Sequence, residues 1–327
     1  MTSIPADGVR SAAATAATTT TTTATGAVTA TGGRASRPRR GPSRAPYLFI
    51  APFYVLYVLF MVVPVLAAVC LSLCEWVGLG PPHWVGLRNY AHLLTDVSFH
   101  RALQNTGVYV LVSVLIIVPV ALMMAQGLNA RGLRARDLFR VAFFIPMVVS
   151  PIVVALIFSL VFDRQFGLAN AALRAVFGLG GFDWLGDPTL AKVCISLIML
   201  WRWAGYLTIF FLAGLQNVPR ELYEAAELDG AGPFRTFTTV TLPALKPVTG
   251  FVAVTSFISA AQIFDEPFLL TRGGPGDATL SVAMFIYRAA FERQQFGYAA
   301  AAGVVLFALV FTISQVFNRL LGIGRSS

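Results

Sequence analysis

The sequence predicts an all-α integral membrane protein with six transmembrane helices. Three observations carry that reading. Hydrophobic residues make up 57% of the 327 residues and charged residues only 12%, about half the charge of a soluble domain. The mean hydropathy is +0.73, and there are too few charges to coat one or two globular cores. Six apolar stretches reach the roughly 20 residues that a helix rising 1.5 Å per residue needs to cross the hydrocarbon of a bilayer.

The elements follow in order. Residues 1–46 form an Ala/Thr-rich tail with six consecutive threonines, Thr18 to Thr23, then a basic patch holding Arg34, Arg37, Arg39, Arg40 and Arg44. This tail has no apolar period and is expected to be disordered. The apolar run that follows is too long for a signal-peptide core, so it reads as the first span. The spans are placed at 47–74, 104–126, 139–162, 190–215, 248–270 and 298–320, within a six-helix domain of residues 47–322. Pro52, Pro64, Pro119, Pro146, Pro151 and Pro267 fall inside them and are expected to kink the helices, since neighbours in a membrane bundle re-satisfy the freed carbonyls.

Charge placement sets the orientation. With a cytoplasmic N-terminus, fifteen Lys and Arg fall inside and seven outside, while Lys192 and Arg202 remain within the fourth span. The bias predicts that both termini are cytoplasmic. The net charge of +9 then lies wholly on the cytoplasmic side, which reads as an orientation signal rather than a nucleic-acid footprint.

Several chemistries find no motif. Cys70, Cys74 and Cys194 lie in apolar runs and make no disulfide framework, and His83, His92 and His100 lack zinc-ligand spacing. Neither lysine, Lys192 or Lys246, follows a glycine, so no phosphate-binding P-loop exists. No enzyme activity, metal or cofactor is expected.

The segment between spans four and five is the most informative. Residues 217–243 read as a short helix opened by Pro219, a stop at Gly230, and a second helix opened by Pro233. Small residues, Ala225, Ala226 and Gly230 among them, leave a surface that another backbone can approach closely. The residues alone fit either such a docking surface or a solvated link between two spans.

Glu224-Ala225-Ala226, then Gly230, Val240 and Leu242-Pro243 resemble the EAA motif of permease subunits of bacterial ABC importers. Val85-Gly86-Leu87-Arg88-Asn89-Tyr90, Ala213-Gly214-Leu215-Gln216, Thr271-Arg272-Gly273-Gly274-Pro275 and Phe296-Gly297-Tyr298-Ala299-Ala300-Ala301 are similar to the carbohydrate-uptake group of that family. The resemblance covers most of 47–322. It implies the type I importer fold in a bacterial cell membrane and a sugar or oligosaccharide as solute. It further implies a second permease as heterodimer partner, an ATPase dimer and an extracytoplasmic solute-binding protein. It makes Glu224, Ala225, Ala226, Asp229, Gly230, Leu242 and Pro243 the ATPase-coupling loop.

The same resemblance puts a solute-lining face on Ser256, Ser259, Ala260 and Ile263, spaced as one helix face, with Trp203 and Tyr206 as aromatic contacts. Helix packing fits the same positions equally well. An arginine at a helix centre costs about 2.5–3.5 kcal/mol on insertion scales, so Arg202 is expected to face the bundle or water, either paired with Asp265 or Glu266 or with all three charges unpaired in a water-filled cavity. The alternative function is a secondary transporter driven by an ion gradient, with those two acids as its only relay candidates.

Overall fold

The computed structural model describes residues 45–130 and 136–321. All of the expected disordered tail before Ala45 lies outside the described residues. The chain divides at Pro52–Phe53. In the first unit, Met1–Pro52, the described part is the start of a helix at Ala45, and the second unit is Phe53–Ser327.

Among the described residues four helices are long and apolar enough to cross a membrane: α1 (Phe49–Ser72), α2 (Val97–Asn129), α5 (Pro188–Gln216) and α9 (Phe296–Arg319). Two bent helix pairs pass the same test of length and composition when each is taken together. The expected third span divides into α3 (Asp137–Val148) and α4 (Pro151–Val161), which meet at 96°. Pro151 lacks the N–H that would continue the α3 ladder, and Ser150 before it is extended, as a residue preceding proline tends to be. Between α5 and the fifth span lies α6 (Arg220–Leu228). The second bent pair is α7 (Pro233–Ala244), followed at 71° by α8 (Lys246–Ala261).

The expected fifth span, 248–270, is therefore not continuous. Its α-helix stops at Ala261, residues 262–264 leave the helix, and a π turn runs over Pro267–Thr271. An unwound stretch within a membrane span is tolerated only against protein or a cavity.

Proline also shapes the interior of the helices. Pro64, Pro119 and Pro243 each stand two residues beyond a π turn, Val58–Val62, Ser113–Ile117 and Phe237–Thr241. A proline ring crowds the carbonyl four residues back and offers it no N–H. A local π turn relieves both problems, so the Val118 N–H bonds the Ser113 carbonyl five residues behind.

Small residues bring the helices together. The main core joins α2 and α5 through Ala121, Ala125 and Leu128 with Ala204, Leu207, Phe211 and Leu215. Thr208 Oγ1 donates across this seam to the Ala121 carbonyl at 3.2 Å. A Cβ at Gly205 would sit 1.8 Å from the Phe143 carbonyl oxygen, so α3 meets α5 there only because glycine is present. Residues of α1 from Phe53 to Val69 are almost all exposed, which suits a helix whose surroundings are lipid.

The bundle end away from α6 is closed by residues 271–298. Asn105 Nδ2 donates to the carbonyls of Asp277 (2.8 Å) and Leu280 (3.0 Å). Thr106 Oγ1 accepts from the Val282 N–H, and Arg288 pairs with Asp277 at 2.9 Å. Asp96 caps α2 by accepting from the Ser98 and Phe99 N–H groups, and also from Tyr298 Oη at 2.7 Å. Burial pushes the Asp96 carboxyl up, but those three hydrogen bonds and nearby His92 outweigh it and hold the group below its usual range.

Candidate functional site

The break in the fifth span opens a cavity of about 340 Å³. Four segments of the bundle build it. α2 contributes Ser113, from the π turn that Pro119 imposes, and α3 contributes Met147. α5 contributes Met199, Arg202 and Trp203. The fifth span supplies Ser256, Ser259 and Ala260 from α8, and then Gln262 to Glu266 from the broken stretch.

The wall is polar where helices meet and apolar between. Ser113 Oγ and Ser256 Oγ lie 2.6 Å apart and tie α2 to α8. Ser256, Ala260 and Ile263 are buried, while Ser259 and Trp203 are half-buried and face the opening.

Arg202 and Glu266 meet at one side. Arg202 Nη1 donates to Glu266 Oε1 at 3.3 Å, and both side chains are about nine-tenths buried, 11% and 8% exposed. The pair links α5 to the stretch beyond the helix break. Behind it lies a packed layer including Val154, Ile198 and Leu270. Arg202 Nε is buried with no hydrogen-bond partner among the described residues. A guanidinium carries five donors, and this one uses a single bond to its carboxylate. Asp265 lies on the cavity wall, exposed and outside that bond.

The cavity thus gathers Arg202, Trp203, Ser256, Ser259, Ala260, Ile263, Asp265 and Glu266. Tyr206 stands apart. It lies one turn along α5, edge-on to Trp203 and Phe210 at 6.0 and 5.2 Å between ring centres, and does not line the space. Sequence reasoning missed Ser113, Met147, Met199, Gln262 and Phe264. Two of these carried a signal: Ser113 six residues ahead of Pro119 in an apolar span, and the amide of Gln262 just before two acids. The two methionines and Phe264 had none.

At the opposite end of the bundle, α6 and α7 form the second region of interest. α6 ends in a Schellman turn. Gly230 has φ +71°. Its N–H bonds the Glu227 carbonyl, and the Ala231 N–H bonds the Ala226 carbonyl. The tight turn redirects the chain into α7, and Tyr223 Oη ties the two helices at 3.3 Å from Thr241 Oγ1. Pro219 is the residue before the helix rather than in its first turn. Arg220, Tyr223, Glu224 and Glu227 line a hollow of about 730 Å³ beside the ends of α2 and α5. Ala225, Asp229, Leu242 and Pro243 are exposed, and Ala226 is half-buried. No residue of α6 is buried. Leu228 and Phe234 are 89% and 79% exposed.

A family model described as "Binding-protein-dependent transport system inner membrane component" matches residues 117–322. The lactose transport system permease protein LacF of Rhizobium radiobacter is 39% identical over 272 residues, covering 82% of this chain and 91% of its own. The arabinooligosaccharides transport system permease protein AraP of Bacillus subtilis is 36% identical over 280 residues, 85% of this chain and 88% of its own. Among solved structures, a chain of a bacterial ABC transporter that imports the acidic polysaccharide alginate superposes with a TM-score of 0.74 at 22% identity. That match covers 86% of this chain and 96% of the other, so the two share a fold.

Proposed function

The chain belongs to the family of binding-protein-dependent transport system inner membrane components, and from that premise we propose that it conducts a sugar or oligosaccharide as one permease of an ATP-driven importer. The single observation that carries the reading is the cavity at the break in the fifth span. It is enclosed by helices that two bends and a π turn allow to rearrange, and its serines, amide and indole suit a polyhydroxylated solute with apolar ring faces. Family membership also decides against the ion-gradient alternative.

In this reading the chain has six spans, counting each bent pair as one, with both termini cytoplasmic. It works as half of a heterodimer with a second permease. α6 and the turn at Gly230 dock into an ATPase subunit, of which two copies sit below the bundle. The exposed Ala225, half-buried Ala226, and the Schellman turn over Asp229 and Gly230 let the partner's backbone approach. Glu224 pairs with a basic group of the partner. Leu242 and Pro243 hold the bend through which the docked helix moves α8. A solute-binding protein delivers the sugar to the opposite face, and alternating access exposes the cavity to one side at a time.

The test uses proteoliposomes holding the complete transporter. Vanadate is expected to block uptake, and a protonophore to act only indirectly. Gly230→Pro and Glu224→Lys are expected to insert normally and lose ATP-driven uptake at least tenfold. Full uptake by both variants would overturn the coupling assignment.

A further inference from the structure

The cavity carries three formal charges, and their arrangement is unequal. Arg202 and Glu266 are buried and joined at 3.3 Å, so their charges cancel locally. Asp265 shares the same wall, is exposed to the opening, and makes no ion pair with Arg202. Among the described residues no other Lys or Arg lines this space. One negative charge is left uncompensated in a volume of about 340 Å³.

We propose that Asp265 is a specificity-determining residue that admits neutral saccharides to the cavity and rejects acidic ones. This rests on the cavity being the solute site. A uronic, sulfonated or phosphorylated sugar would bring its anion beside the Asp265 carboxylate, in a confined cavity where like-charge repulsion is less screened than in open water. Arg202 does not offset this, because Glu266 already takes its charge. The spare Arg202 donors and the free oxygens of Glu266 and Asp265 still suit hydroxyl groups, which both donate and accept. The charge pattern therefore selects by exclusion, the repulsive element that specificity commonly requires.

The experiment measures ligand binding to the purified transporter complex without its solute-binding protein, so that upstream selection does not enter. Saturation-transfer NMR follows titrations with neutral trisaccharides (arabinotriose, maltotriose, chitotriose) and with trigalacturonic acid. At least one neutral trisaccharide is expected to bind at least tenfold more tightly than the acid. Asp265→Asn is expected to narrow that gap to threefold or less, and Asp265→Lys to reverse it. Ser259→Trp fills the cavity and is expected to abolish binding of every probe. If Ser259→Trp leaves neutral binding intact, or no neutral probe binds the wild type, the cavity is not the solute site and both readings fall. If Ser259→Trp abolishes binding but Asp265→Asn leaves the gap unchanged, the solute site stands and the role of Asp265 is overturned.

Discussion

The two ends of the bundle solve opposite problems. At the end closed by residues 271–298, polar groups find partners inside the chain. Asn105 satisfies two carbonyls, Thr106 takes an N–H, and Asp277 holds Arg288. At the other end α6 buries none of its residues, and Leu228 and Phe234 stand in the open. The first region is complete by itself. The second is a short helix with a well-formed stop and an apolar edge that none of the described residues covers. A self-satisfied end resists change, and an uncovered one has few contacts to lose, so substitutions at the two ends should fail in different ways.

The largest effect on stability is expected between the ends, at the cavity. Arg202→Met alone strands a buried Glu266 and should cost about 3–5 kcal/mol, read as thermal unfolding of the purified protein. Arg202→Met with Glu266→Met should recover most of the loss, because a buried pair is replaced rather than broken. A double variant as unstable as the single one would show that the pair is not the source. Next comes the closed end. Asn105→Leu leaves the carbonyls of Asp277 and Leu280 without their donor and should cost about 1–3 kcal/mol. Hydrogen exchange should rise across 271–282 in that variant and stay unchanged in α6.

Asp96→Ala removes the cap of α2 and should cost about 1 kcal/mol. The Asp96 carboxyl titrates below its ordinary range in the folded chain. Its contribution is therefore complete above the unfolded value and lost as the pH falls through the folded one. Stability of the alanine variant should be less sensitive to acid over that window. The smallest change in stability, within about 0.5 kcal/mol, is expected for Leu228→Asp on the exposed edge of α6. That variant should nonetheless lose ATP-driven uptake. An unstable Leu228→Asp, or a stable Asn105→Leu, would erase the contrast between the two ends.

Much of this was legible in the chain. Pro219, Gly230 and Pro233 mark α6, its stop and the start of α7 because each acts on the backbone locally, and the Schellman turn follows from Gly230 alone. The apolar runs mark where the spans lie for the same reason. The bends were less legible. Pro151 announces a kink, but not that α3 and α4 meet at 96°, since neighbouring helices decide how far a freed carbonyl ladder turns. The end of α8 at Ala261 had no breaker at all: residues 262–264 are Gln, Ile and Phe. Gly205 gave no hint that the Phe143 carbonyl sits against it.

By itself, then, the sequence determined a multi-span apolar chain, its charge asymmetry, the punctuation of α6 and α7, and the residue types around Arg202. These depend on hydrophobic length, charge count and local backbone preference, which act within a few residues. Only the tertiary structure decided that Glu266 rather than Asp265 meets Arg202, that Tyr206 stands outside the cavity, and that Ser113 lies 2.6 Å from Ser256. Those outcomes depend on which face each helix turns to its neighbours once a proline or an unwound stretch has rotated it. That rotation is set by packing between segments far apart in the chain, 64 residues for Arg202 and Glu266 and 143 for Ser113 and Ser256.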